Sequence, residues 1–133
     1  MTKIESDKTE VGYSAEKLFA FLSDFNNFQK LMPPQVSTWT STADECAFNI
    51  SGMANIGMKI VDKKPHTEIN IVSNGKVPFK FSLNIFIVPI NENQCTGQLI
   101  FEADLNPMLK MMVAKPMGNF FNFLATKMKD LVL

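Results

Sequence analysis

One histidine, two cysteines and thirteen acidic side chains are the raw material for chemistry in this chain. His66 follows Pro65 in a turn-like stretch beside Thr67 and Glu68. There an imidazole is solvated, whereas a general base must reach a substrate inside a site. Cys46 and Cys95 stand in apolar, strand-like surroundings without CxxC spacing, and read as small buried thiols that stay reduced. One histidine and two separated thiols are a poor ligand set for zinc, so no metal is expected. Ser6, Ser14 and Ser23 have no histidine near them in the pattern, which leaves a nucleophilic triad without support. Asp44, Glu45, Glu92, Glu102 and Asp104 fall at strand ends or on outward positions, where carboxylates are solvated. Gly52, Gly57 and Gly75 are spaced as turn or bulge residues, not as a phosphate-cradling loop ahead of a helix. The expectation is no catalytic residue and no cofactor.

The residues that stand out are apolar, and they recur with period two. Cys46, Phe48 and Ile50 alternate with Ala47, Asn49 and Ser51, ending at Gly52. Ile56, Met58 and Ile60 follow, then Ile69 and Ile71. Phe79, Phe81, Leu83, Ile85 and Ile87 form the longest row, and Cys95, Gly97, Leu99, Phe101 and Ala103 the last. One apolar face per strand is the pattern of an antiparallel sheet covered on one side. Ser73-Asn74-Gly75 and Asn91-Glu92-Asn93 are short linkers suited to hairpins. Burying each large side chain of these rows contributes roughly 1.5–3 kcal/mol, so a closed core explains them as well as a ligand cavity does.

Two helical regions must cover that face. Residues 3–12 read as a polar first strand, and Ser14 then stands as an N-cap ahead of Ala15, Leu18, Phe19, Phe21 and Leu22. A second short helix after Asp24 carries Phe25, Phe28, Leu31 and Met32, until Pro33-Pro34 stops it. The C-terminal helix is expected from about Asn106 to Leu131, capped by Asn106 with Pro107 in its first turn. At about 100° per residue, Leu109, Val113, Pro116, Phe120, Leu124 and Leu131 share one stripe. Met112 and Phe123 flank it on one side, and Met117, Phe121 and Met128 on the other. So wide an apolar arc suits a helix seated in a groove. Met108 and Met111 fall off the stripe, at an entrance or a dimer contact. Pro116 removes a hydrogen bond to the Met112 carbonyl, either as a fixed bend or as a hinge shared with Gly118. Trp39 stands in a strand of poor alternation, so its face is ambiguous, and Tyr13 reads as edge packing.

Bulk properties narrow the function. The 133 residues fit a single domain over 1–133, and 13 basic and 13 acidic residues leave zero net charge. Without a basic block, nucleic-acid binding is not expected. No apolar run reaches the roughly 18 residues of a membrane span, and the charged N-terminus does not look like a signal peptide. The expectation is a cytoplasmic protein without stable membrane insertion, a monomer or weak homodimer.

The segment Val11-Gly12-Tyr13-Ser14-Ala15-Glu16-Lys17-Leu18-Phe19-Ala20-Phe21-Leu22-Ser23-Asp24 is similar to the V-x-x-S-A-E-x-V-F-x-F-L-x-D opening of many bacterial START-like (SRPBCC) proteins. Phe28-Gln29-Lys30-Leu31-Met32-Pro33 fits that superfamily's passage from helix to strand. The meander and the proline-containing last helix complete a resemblance over essentially the whole chain. It implies an α+β helix-grip fold, β-α-α-β6-α, with a curved antiparallel sheet gripping the long helix and a cavity between them. It implies binding of a small hydrophobic or amphipathic ligand there, such as a lipid or an aromatic metabolite. The expected wall comprises Met32, Trp39, Phe48, Met58, Ile60 and Ile71, with Phe81, Leu83, Leu99, Met112, Phe120 and Leu124. Ser73 or Trp39 would orient the ligand. The same superfamily includes polyketide cyclase- or aromatase-like enzymes and co-chaperone interaction modules, which stand as the alternatives.

Overall fold

The computed structural model describes residues 2–50, 54–75 and 77–131. Gly52 and Ser51, expected at a strand end, lie outside them. The chain runs β1 (Thr2–Glu5), β2 (Thr9–Val11), α1 (Ala15–Leu22), α2 (Phe25–Phe28), a single 3-10 turn (Gln29–Leu31) and β3 (Val36–Ser41). It continues through β4 (Glu45–Ile50), β5 (Ala54–Lys64), β6 (Glu68–Ser73), β7 (Phe81–Asn91) and β8 (Gln94–Ala103) to α3 (Pro107–Lys129). Among the described residues the strands form one curved antiparallel sheet in the order β1-β8-β7-β6-β5-β4-β3, with β2 also on β8. The fold is α+β, and the six-strand meander between the short helices and the long one is as the sequence predicts.

The caps do what their side chains allow. Ser14 accepts from the Lys17 amide, Asp24 from Asn26, and Asn106 from Leu109, with Pro107 at the first helical position. Asp130 closes α3, so the helix stops slightly short of the expected Leu131. The inward rows are buried as the alternation requires, from Cys46, Phe48 and Ile50 to Cys95, Leu99, Phe101 and Ala103. α1 packs on β6, β7 and β8, while α3 packs on β1, β2 and β8. Gly97 lets both helices approach β8, since a Cβ there would lie 3.0 Å from Met128 Cε and 3.3 Å from a Leu18 methyl.

Four local readings need correction. The first strand is interrupted at residues 6–8, and its pairing on β8 resumes one residue out of step. Buried Ser6 bridges the break: its amide donates to the Leu99 carbonyl at 2.9 Å and its hydroxyl accepts from the Leu99 amide. The β6–β7 connection is not a tight turn at Ser73-Asn74-Gly75 but the longer run 74–80, in which Pro78 cannot donate to a ladder. Phe79 is buried although it precedes the strand. Gly57 is not a turn residue; it lies inside β5, and a Cβ there would stand 2.2 Å from the Asn74 carbonyl oxygen. The fourth is the burial of α3, described with the site it covers.

Candidate functional site

The inward face begins at its edge strand. β3 pairs with β4 in one register at Val36 and Ser37, and in a register shifted by one at Thr40 and Ser41. The extra residue is accommodated by Thr38, whose φ of 56° is a left-handed conformation that β-branched residues rarely adopt. The shift reverses parity, so Trp39 and Ser41 follow Val36 onto the inward side. Half-buried Trp39 stacks on buried Phe48, with ring centroids 5.2 Å apart and planes at 21°.

From there aromatic rings lead across the interior. Phe48 lies 6.2 Å from Phe120 of α3, and Phe120 meets Phe121 at 5.5 Å. Phe121 reaches Phe101 of β8 at 5.4 Å, and Phe101 touches Phe81 and Phe79. Offset and edge-to-face pairs of this kind add roughly 0.5–1.5 kcal/mol each to the burial of their area. Sequence reading placed Phe79, Phe101 and Phe121 on inward faces but not on a common path. That path joins β3, β4, β7, β8 and α3, and only the folded chain brings them together.

Of the expected wall, Phe48, Met58, Ile71, Phe81, Leu83, Leu99, Phe120 and Leu124 are buried on the inner side. Met32, Trp39 and Ile60 are half-buried and pack on the rim of the same cluster. Met112 departs from the expectation, being 65% exposed. The buried face of α3 consists of Val113, Met117, Phe120, Phe121, Leu124, Ala125 and Met128, rotated from the stripe read in the sequence. Pro116 is exposed and Leu109 only half-buried. The physical reason is reach: burial begins at Val113, and the two turns before it present Met108, Met111 and Met112 to solvent.

Hydrogen-bonding side chains stand at the Trp39 end of the ring path. Trp39 Nε1 donates to Ser41 Oγ at 3.0 Å, and Ser41 Oγ donates to Asn26 Oδ1 at 2.7 Å. Ser73, expected to orient a ligand, instead accepts from the Phe81 amide at 3.2 Å and closes the start of β7. Among the described residues, the buried polar side chains are Thr2 and Ser6, along with the Tyr13 hydroxyl, which donates to the Met128 carbonyl. That tie between the start of α1 and the end of α3 was not legible in the sequence. Burial raises the Tyr13 pKa, and the neighbouring Cys95 thiolate adds to the effect. Burial also pushes the Cys46 thiol up to about 12 and raises Cys95, so both thiols are held neutral.

His66 is exposed at the β5–β6 turn with φ 64°, its ring edge-on to Phe19 at 5.7 Å. Pro65 before it presets the turn, and the Thr67 amide donates to the Lys64 carbonyl at 3.0 Å. Asp44, Glu45, Glu92 and Asp104 are exposed and Glu102 half-buried. Among the described residues no three His, Cys, Asp or Glu side chains gather as a metal site. No helix of the described chain is long and apolar enough to cross a membrane.

Open depressions dent the surface, two of them beside elements already described. A cleft of about 500 Å³ lies at β3–β5, lined by Thr38, Thr40, Asn49, Asn55 and Asn74 and also by Cys46, Phe48 and Ile56 of the inward rows. Another of about 400 Å³ lies beside Tyr13, Lys17 and Glu92. Both are open to solvent, whereas small-molecule sites bury most of their ligand. The inward face between sheet and helix is apolar, and its side chains pack together as one cluster.

No protein-family model matches the chain, and no curated protein matches it in sequence. Solved structures do match in fold. The protein XoxI from Bacillus cereus superposes with a TM-score of 0.77 at 9% identity, covering 98% of this chain and 94% of that one. A START superfamily protein from Mycobacterium smegmatis gives 0.70 at 15% identity, covering 98% and 99%. The di-domain ARO/CYC BexL from the BE-7585A biosynthetic pathway gives 0.75 at 13% identity, covering 98% of this chain and 46% of its own. The fold is the START-like helix grip.

Proposed function

We propose that the chain binds a small apolar or amphipathic molecule, such as a lipid, fatty acid or aromatic metabolite, between the sheet and α3. The observation that carries this reading is the ring path from half-buried Trp39 through Phe48 to Phe120. It runs from a rim with hydrogen-bonding groups into an interior walled by apolar side chains. An amphipathic ligand would leave its polar end at Trp39, Ser41 and Asn26, and its apolar part would separate Phe48 from Phe120. Met58, Ile60, Ile71, Leu83, Leu99 and Leu124 would form the deeper wall. The fold likeness to a START superfamily protein supports the same reading.

A cyclase-like enzyme, the alternative suggested by the likeness to BexL, would need polar groups turned into the cavity. All thirteen basic residues of this chain are lysines, so no arginine serves such a role. Binding is the reading the side chains support best.

Trp39 is the single tryptophan, and it reports directly on the site. Native mass spectrometry of the purified protein, followed by titration with a lipid and aromatic panel, should reveal a retained or added ligand. Trp39 emission should shift on the same titration, and Phe120→Ala should alter the affinity. A protein that carries nothing, takes up nothing and keeps its Trp39 spectrum unchanged is not a ligand binder.

A further inference from the structure

Trp39, Ser41 and Asn26 form a hydrogen-bonded chain whose open valences describe the head of a ligand. Trp39 and Ser41 share a face of β3, and the stack on Phe48 holds the indole. Asn26 is brought to them by α2, which is tied to the β3–β4 turn where the Phe25 amide donates to the Ala43 carbonyl at 2.9 Å. Trp39 Nε1 donates to Ser41 Oγ at 3.0 Å, and Ser41 Oγ donates to Asn26 Oδ1 at 2.7 Å. An indole has one donor and no acceptor, so Trp39 is fully used. A hydroxyl has one hydrogen and two lone pairs, so one lone pair of Ser41 stays open. Asn26 is exposed and keeps its Nδ2 hydrogens to donate. Turning the Asn26 amide over makes Nδ2 the donor to Ser41 and opens the Ser41 hydrogen and Asn26 Oδ1 instead. Either way, one donor and one acceptor stand open on neighbouring side chains.

We propose that the ligand carries an uncharged head that both donates and accepts, an alcohol or phenol hydroxyl, seated between Ser41 and Asn26. The head assignment rests on the ligand reading above and narrows it. A hydroxyl gives its hydrogen to the open acceptor and takes the open donor on a lone pair. A carboxylate or an ether only accepts, and leaves the open acceptor unanswered. An ammonium only donates, and leaves the open donor unanswered.

The charges nearby weigh against an anion. Asp24 Oδ1 accepts from the Asn26 amide at 2.9 Å, which sets a half-buried carboxylate beside Asn26. Lys63 is engaged with Asp44 at 3.6 Å, and Lys30 lies over the Phe21 ring. Among the described lysines all are exposed except half-buried Lys127, which lies over Phe123 of α3. An anionic head drawn into the apolar interior would therefore go unpaired, and a buried unpaired charge is costly.

Isothermal titration calorimetry with decanol, decanoate, decylamine and decyl methyl ether compares four heads on one chain. Naphthol and naphthoate repeat the comparison on a ring. Decanol and naphthol should each bind about tenfold tighter than their charged or ether counterparts. Ser41→Ala and Asn26→Ala should both lose that preference, with decanol falling to the level of the ether. Asn26→Ala sits at an exposed helix position and decides the matter if Ser41→Ala does not fold. The tighter of the two alcohols names the source, a chain lipid or a ring metabolite, and either one supports the hydroxyl head. Decanoate, decylamine or the ether binding as tightly as decanol overturns the head assignment and leaves the ligand reading standing. So does a preference that survives in Asn26→Ala. Binding by none of the probes overturns both.

Discussion

Trp39 lies nearly parallel to Phe48, with centroids 5.2 Å apart, because the residue before it takes a backbone conformation its side chain disfavours. Thr38 absorbs the extra residue of β3 with φ 56°, and parity reverses after it. Left-handed backbone costs a non-glycine residue roughly 1–2 kcal/mol. Thr38→Gly should relieve this and stabilise the fold by about 1 kcal/mol, with Trp39 emission unchanged. Deleting Thr38 should instead turn Trp39 outward and shift its emission to the red. If emission stays where it is in the deletion, the bulge is not what directs the indole.

Gly57 and Asn74 are joined more tightly than any side chain allows. The Asn74 amide donates to the Gly57 carbonyl at 2.9 Å, and a Cβ on residue 57 would lie 2.2 Å from the Asn74 carbonyl oxygen. Backbone must move to accommodate it, so Gly57→Ala should cost about 2–3 kcal/mol in denaturant unfolding. Gly75→Ala meets open space but keeps φ near 72°, and should cost only about 1 kcal/mol. Equal costs at the two positions would mean that crowding by Asn74 is not the reason for glycine at 57.

Period two was legible wherever a strand is regular. In β8 the row from Cys95 to Ala103 has no bulge, and every inward residue read from it is buried. β3 was not legible, because a single left-handed threonine reverses parity without leaving a mark in composition. The burial of α3 was misjudged for a different reason. Apolar residues at 108, 111 and 112 look the same in sequence whether or not a sheet lies beneath them, and burial starts only at Val113. The Tyr13–Met128 tie and the approach of Asn74 to Gly57 depend on tertiary proximity, which spacing along the chain does not encode.

Tyr13 and Met128 fasten the last turn of α3 to the passage before α1. Tyr13→Phe removes the donor and leaves a carbonyl in an apolar setting, at a cost of about 1–3 kcal/mol. Amide exchange should speed up at residues 126–131 more than at 113–121. A uniform change along α3 would show that the hydroxyl contributes to general stability and not to anchoring that end.

Alkali should destabilise the fold through its thiols. Cys46 is pushed up to about 12 in the folded chain, and Cys95 is raised in the same direction. Unfolded thiols ionise near about 8.5. Above that pH the unfolded chain binds fewer protons than the native one, so stability is full below it and falls as pH rises. The loss at Cys46 approaches about 1.4 kcal/mol per pH unit until its folded pKa is reached. Denaturant unfolding between pH 8 and pH 10 should show this slope, and Cys46→Ala should reduce it. Buried Tyr13 adds in the same sense only above about pH 10. A slope that persists in Cys46→Ala assigns the effect to other groups.

Pro116 stands where α3 changes from exposed to buried, and this juxtaposition bears on ligand entry. C-terminal to it, Met117, Phe120, Phe121, Leu124, Ala125 and Met128 are buried, and Asn122 accepts from the Asp7 amide at 2.8 Å. N-terminal to it, Val113 is the one residue of the helix that is buried among those described. The proline lacks the amide that would bond the Met112 carbonyl, so the first two turns are joined to the rest by one interaction fewer. Amide exchange at 108–115 should therefore be faster than at 120–128. Pro116→Ala restores the bond at an exposed position and should stabilise the protein by about 1–2 kcal/mol. If the first half of α3 lifts to admit a ligand, the same substitution should slow exchange of a fluorescent fatty acid, because a stiffer lid opens less often. Higher stability with an unchanged exchange rate would mean that Pro116 shapes the helix and gates nothing.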